Sequence, residues 1–309
     1  MPTRFIFLIL PEVHLLDLAG PDQTIHEAIG FGADFEIIYC GSGITPTTSA
    51  GLGLGKLPHY SMVNVRSGDY IVLPGARVKY LLSPEFQQSK ALFAWLRACR
   101  EQQAHLVSIC AGALVLAQAG LLDGRTCTTH FQLTAQLQKL APKAKVKENI
   151  LFVQEDRMHT SAGIASGIDL MLQIVEQLTD GYFAHKVARE LVIYHRRDGV
   201  SLQANAFTHF RNHIHAGIHK AQDRIVEHLQ QKHTLADLAN AACMSERNFT
   251  RAFRKETGTT VVGYINSIRR ERILHLLKNP DLSRKQIAKT VGLVSEKQVA
   301  RILNSEMAG

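Results

Sequence analysis

Leu106-Val107-Ser108-Ile109-Cys110-Ala111-Gly112-Ala113 decides how the first two hundred residues fold. A short apolar run suited to a buried strand stops at Cys110, and the small residues behind it open a helix through Ala119. Outward from this junction, strands and helices alternate. Strands are predicted at Arg4–Leu10, Phe35–Tyr39, Tyr70–Leu73 and Ile150–Val153. Helices are predicted at Asp22–Ile29, Pro84–Gln103, Gly167–Leu178 and Tyr182–Tyr194. Continuous apolar strands between helices imply an α/β domain, a mostly parallel sheet covered on both faces.

Cys110 ends its strand on a tight turn. In open α/β sheets the crevice beyond the carboxyl ends of the strands is where ligands bind. A side chain on such an elbow is pushed into that crevice, and a following helix N-terminus favours a thiolate. Free cysteines are also common core residues, so pocket lining and simple burial both remain open for Cys110.

The excess positive charge lies in the last third of the chain. Residues 1–200 hold 18 Lys+Arg and 18 Asp+Glu, whereas residues 201–309 hold 17 and 9, the whole +8 of the protein. A neutral body with a basic appendage fits a polyanion partner at one end; a merely solvated basic face is the alternative. At 309 residues two cores are expected. The run Phe5–Leu10 is too short for a membrane span, and Pro11-Glu12 follows it where a secretory signal would have small residues. The five cysteines are irregularly spaced and no pair has metal-site spacing, which suits reduced thiols in a cytoplasmic protein. No metal or cofactor is expected.

Residues 198–218 read as a linker with His209, His213 and His215, lacking the companions of a metal site. Beyond it, Ala221–Gln231 has helical periodicity. Thr234 caps a short helix, the chain breaks near Cys243, and Ser245 caps a second helix through Glu256. This is a helix-turn-helix. Phe249 and Phe253, four apart, should face the core, leaving Arg247, Asn248, Thr250, Arg251 and Arg254 outward with Ser245 at the helix start. Arg and Asn suit guanine and adenine edges, and Thr suits phosphates.

Several blocks resemble the class I glutamine amidotransferase-like (ThiJ/PfpI) domain, in the version fused to AraC-type regulators. They are Leu16-Asp17-Leu18-Ala19-Gly20-Pro21, Leu73-Pro74-Gly75, Ser108-Ile109-Cys110-Ala111-Gly112-Ala113, Thr128-Thr129-His130, Thr160-Ser161-Ala162-Gly163 and Val187-Ala188-Arg189. The resemblance covers residues 4–197 and implies a flavodoxin-like, doubly wound parallel sheet. It also implies a pocket built from Asp17, Gly75, Ala76, Cys110, Ala111 and His130. In enzymes of the superfamily the cysteine attacks a carbonyl or similar carbon, a histidine acts as base, and backbone N–H groups hold the oxyanion. Here Ala111 stands where proteases have the catalytic histidine and hydratases have threonine, and Ala76 where many relatives have glycine. By itself a lone histidine such as His130 is more often structural than a base, and Asp17 reads equally as a helix N-terminal charge. The domain is therefore read as a sensor with an inherited pocket, not as an enzyme.

Met244-Ser245-Glu246-Arg247-Asn248-Phe249-Thr250-Arg251-Ala252-Phe253-Arg254, Thr257-Gly258, Tyr264 and Arg269-Arg270-Glu271-Arg272 resemble the AraC-type DNA-binding domain. That implies an all-α domain over 219–309 with two helix-turn-helix units joined by a helix at Val261–Leu277. The second unit would comprise Ser283–Thr290, a turn at Val291–Val294 and a helix from Ser295, with Lys297, Gln298 and Arg301 toward DNA. It lacks the aromatic residue and additional arginines usual in relatives. The expected protein is a transcriptional regulator that binds promoter DNA and a small, nitrogenous effector, acts as a homodimer and meets RNA polymerase, away from membranes. The alternatives are a cysteine-dependent amidase or isonitrile-hydratase-like enzyme with a DNA-binding tail, and a redox sensor, for which no resolving cysteine is evident.

Overall fold

The computed structural model describes residues 1–163, 165–193, 197, 199, 210–211, 213–277 and 282–304. Contacts divide the chain into two units, Met1–Gln203 and Ala204–Gly309.

The first unit begins with β1 (Thr3–Ile9), α1 (Leu15–Gly30), β2 (Phe35–Gly41) and β3 (Tyr70–Leu73). Then come α2 (Val78–Leu81), α3 (Pro84–Gln87), α4 (Lys90–Glu101), β4 (His105–Ile109) and α5 (Gly112–Gln118). It continues with β5 (Thr126–Cys127), α6 (Thr134–Leu140), β6 (Lys145–Val146), β7 (Phe152–Glu155), β8 (Met158–Ser161), α7 (Ala165–Leu178) and α8 (Gly181–Glu190). The main sheet has the order β2-β1-β3-β4-β8-β7. Every pairing in it is parallel except β7 with β8. Phe5 to Leu10 are buried on both sides of the strand, as a central parallel strand requires. Helices α1, α7 and α8 pack on one another, and α4 packs on α5. The direction of winding reverses between β1 and β3, so the crevice beyond their carboxyl ends is the topological switch point.

Four expectations need adjustment. Helix α1 starts at Leu15, seven residues before Asp22, and carries Pro21 inside it. A proline within a helix removes one backbone hydrogen bond, and here packing outweighs that loss: a β-carbon at Gly20 would lie 2.8 Å from Ile168 on α7. The single helix expected over Pro84–Gln103 is two, because the chain turns at Gln88-Ser89 between α3 and α4. The helix expected to Tyr194 ends at Glu190, and residue 194 lies outside the described residues. The expected linker is encroached on from both sides. The Gly199 carbonyl accepts from the Leu151 and Phe152 N–H groups at 2.9 and 3.3 Å. Phe210 and Ile218 are buried in the core of the second unit. His209 lies outside the described residues, while the rings of His213 and His219 stack at 4.3 Å.

The second unit contains α9 (Ala216–Glu227), α10 (Leu235–Ala241), α11 (Glu246–Thr257), α12 (Val261–Leu276), α13 (Arg284–Thr290) and α14 (Glu296–Asn304). Side-chain caps start four of them, the first being His215, whose Nδ1 accepts from Ile218 N–H at 3.4 Å. Thr234 Oγ accepts from Asp237 N–H, Ser245 Oγ from Asn248 N–H, and Ser283 forms a capping box with Gln286. Gly258, at φ 72°, ends α11 in the left-handed conformation. This unit has two separate cores. Phe249, Phe253, Tyr264 and Ile268 lie in one; Ile273, Ile287, Val291, Val299 and Ile302 form the other. Helix α12 contributes to both.

Candidate functional site

Cys110 adopts φ 53°, the left-handed region that a β-carbon makes costly. Its N–H donates to the Ser161 carbonyl on β8 at 3.0 Å, and its carbonyl accepts from the Thr129 hydroxyl at 2.8 Å. The turn is held from both sides, so the strained residue cannot relax. Its surroundings are shaved to fit. A β-carbon at Gly75 would overlap the Asp17 carboxylate and reach 3.0 Å from Cys110 Cβ. One at Gly163 would overlap Cys110 itself, and one at Gly112 would overlap the Leu73 carbonyl.

The thiol faces Asp17, which is fully buried in the first turn of α1. Burial, then the Asp17 charge, push the Cys110 thiol far above the ordinary cysteine range, against the smaller opposing pull of the Ala111 N–H. Burial and the Asp17 charge thus both work against the thiolate that a nucleophile needs.

A cavity of about 420 Å³ opens over this pair. Asp17, Cys110, Ala111 and His130 all line it. Gly75 and Ala76 sit behind, where the Gly75 carbonyl accepts from His14 N–H at 2.8 Å. His130 caps a short 3-10 turn, its Nδ1 accepting from Gln132 N–H at 3.4 Å. The neutral ring therefore carries its proton on Nε2. Burial lowers its pKa, with Asp17 acting in the opposite sense.

Sequence reasoning missed His14 and Ser49, which also line the cavity and lie 2.9 Å apart (Nδ1 to Oγ). His14 directly precedes the Leu16–Pro21 block, which was a usable signal; Ser49 comes from the long irregular segment after β2. The walls are apolar: Leu15, Leu16, Val78 and Leu133.

In the second unit, Phe249 and Phe253 are fully buried on one face of α11. Arg247, Asn248, Thr250, Arg251 and Arg254 are exposed on the other. Arg251 Nη2 donates to Asn248 Oδ1 at 3.3 Å, which braces the guanidinium. Arg247, Thr250, Arg251 and Arg254 line an open concavity of about 690 Å³ with Lys255 and Leu235. Ser245 is engaged as the helix cap. On α14, Lys297 and Arg301 are exposed and free of described partners, whereas Gln298 Oε1 accepts from Val294 N–H at 2.8 Å. The amide nitrogen of Gln298 is left to donate to another partner.

No group of three or more metal-ligating side chains occurs among the described residues, and no described helix is long and apolar enough to cross a membrane.

The DJ-1/PfpI family profile matches residues 3–177, and a helix-turn-helix domain profile matches residues 238–306. The chain is similar to the HTH-type transcriptional regulator CdhR of Pseudomonas aeruginosa, 26% identical over all of this chain and 90% of that protein. It is also similar to an isonitrile hydratase of Pseudomonas putida, 30% identical over 58% of this chain and 73% of the other. A solved AraC family transcriptional regulator from Pseudomonas putida shares the fold, with a TM-score of 0.55 and 23% identity over 62% of this chain and all of that one. The amidotransferase-like and AraC-type resemblances seen in the sequence therefore stand, and the regulator reading prevails over the enzyme reading. The chain belongs to the DJ-1/PfpI family, and it carries a helix-turn-helix domain at residues 238–306, with similarity along its whole length to the transcriptional regulator CdhR.

Proposed function

We propose that this protein is a cytoplasmic, homodimeric regulator that binds promoter DNA through α11 and α14 and a small-molecule effector in the cavity over Asp17 and Cys110. The observation that carries the DNA half is α11 itself, whose buried phenylalanine face leaves a basic, exposed row of Arg247, Arg251 and Arg254. Arginines on a recognition helix give base readout and phosphate neutralisation together. The effector half rests on a cavity with one buried carboxylate, a protonated thiol and two histidines between apolar walls. A nitrogenous group with N–H donors would suit the negative charge of this carboxylate. Such an effector acts only by binding one arrangement of the protein more tightly than another. Dimerisation would set the spacing of half-sites, and contact with RNA polymerase would follow at the promoter.

The test is selection of binding sites from a random DNA library by the full-length protein at fixed salt. A recovered motif of paired half-sites supports the reading. Salt-sensitive binding without any motif overturns it.

A further inference from the structure

A second cavity lies at the carboxyl end of β2, sharing no lining residue with the first. The chain leaves β2 through Ser42 and Gly43 and returns alongside it at His59, where Gly41 N–H donates to the Pro58 carbonyl at 2.9 Å. Tyr80, Phe86 and the start of α4 close the opposite side, leaving about 290 Å³.

The polar groups here are unmatched in one direction. Helix α4, of 12 residues, starts without a side-chain cap: Ser89 makes no such bond. Lys90 N–H donates to the Gln88 carbonyl, but the N–H groups of Ala91 and Leu92 have no acceptor among the described residues. Both residues line the cavity. So does Ser42, whose Oγ is out of solvent and has no hydrogen-bond partner among the described residues. Tyr60 also lines it; it is 7% exposed, and its phenol meets no described partner. Of these groups Ser42 Oγ is the one shown to be both buried and unpaired, which is costly. Lys90 adds positive charge at the mouth. The one carboxylate nearby, Glu85, is engaged by its own N–H and by Ser83 at the start of α3. Phe86 and Ile44 supply apolar wall.

Convergent donors, an uncapped helix start and an aromatic wall are the makings of an anion site for an apolar molecule. We propose that this cavity binds a small organic carboxylate, its oxygens taken by the Ala91 and Leu92 N–H groups with Ser42 and Tyr60, and its apolar body against Phe86. The site stands independently of the proposed function.

The single tryptophan of the chain, Trp95 on α4, reports on it: its ring centroid is 5.1 Å from that of Tyr60. The experiment is a titration of the full chain with phenylacetate, followed by Trp95 emission and by calorimetry, with phenylacetamide and inorganic phosphate as comparisons. The expected result is saturable binding of phenylacetate, at least tenfold weaker for the amide and for phosphate. Lys90→Ala, at an exposed position, should weaken it severalfold, and the paired change Ser42→Ala with Tyr60→Phe should weaken it tenfold or more at unchanged circular dichroism. Cys110→Ala should leave it intact. No saturable binding, equal binding of the amide, or loss of binding in Cys110→Ala would overturn the assignment. The last outcome would place the ligand in the other cavity.

Discussion

Gly163 lies so close to Cys110 that a β-carbon on it would occupy the space of the cysteine's Cα, Cβ and Sγ. Its φ of 99° is itself glycine territory. Gly163→Ala therefore combines overpacking, about 1–3 kcal/mol, with backbone strain of about 1–3 kcal/mol. The thermal midpoint should fall by about 2–4 °C for each kcal/mol lost. A melt within 1 °C of the parent would show that the elbow yields easily.

The Asp17 charge is the second cause, after burial, that keeps the Cys110 thiol protonated. Alkylation by iodoacetamide at pH 8 should therefore mark the exposed Cys243 first and leave Cys110 nearly untouched. Asp17→Asn should lower the Cys110 pKa and speed its labelling, read by peptide mass spectrometry across a pH series. Labelling of Cys110 ahead of Cys243 in the parent protein would refute the neutral-thiol assignment.

Arg251 is braced by Asn248 and faces outward from α11. Arg251→Ala should weaken binding to a selected DNA site by about 1–3 kcal/mol, or roughly 5- to 150-fold, and relax preference at one base position. Arg254→Ala, nearer the helix end, should weaken all DNA similarly and reduce the salt slope by about one. Electrophoretic shifts at two salt concentrations separate the two effects. Unchanged affinity in Arg251→Ala would remove α11 from the role of recognition helix.

His105 and His159 form a parallel ring pair between β4 and β8, with Nδ1 and Nε2 2.9 Å apart. Burial, with help from Arg100, lowers their pKa values to about 4 and about 3, from 6.5 when unhindered. The unfolded chain thus takes up protons first as the medium is acidified. The pair's contribution is complete above pH 6.5 and drains away as pH falls toward 4 and then 3. Melting curves should move to lower temperature already at about pH 5, above the usual carboxylate range. His159→Gln should show a smaller loss between pH 7 and 5 than the parent; an equal loss would assign the acid sensitivity to other groups.

The strands were legible because parallel strands buried on both faces leave unbroken apolar runs, as in Phe5–Leu10 and Leu106–Ile109. The caps Thr234 and Ser245 were legible because their chemistry is local. What sequence obscured was decided at a distance. Pro21 marks a boundary by itself, but close packing of Gly20 on Ile168 carries α1 through it and brings Asp17 to the cavity. Strand β8, His-Thr-Ser at its centre, is polar yet buried, and only its place between β4 and β7 accounts for that. Ser49 reaches the cavity from a segment without periodicity. The bond from Val294 N–H to Gln298 Oε1 was hidden because it depends on the turn geometry.

The paired cores of the second unit give its two helix-turn-helix halves separate foundations. Helix α12 is about 24 Å long at 1.5 Å per residue; it roots Tyr264 and Ile268 in one core and Ile273 in the other. Val299 and Ile302 belong to the second core alone, so a cavity opened at either should leave the seating of α11 on the first core in place. The same construction would let the distal unit change its outer surface while the proximal unit keeps its fold.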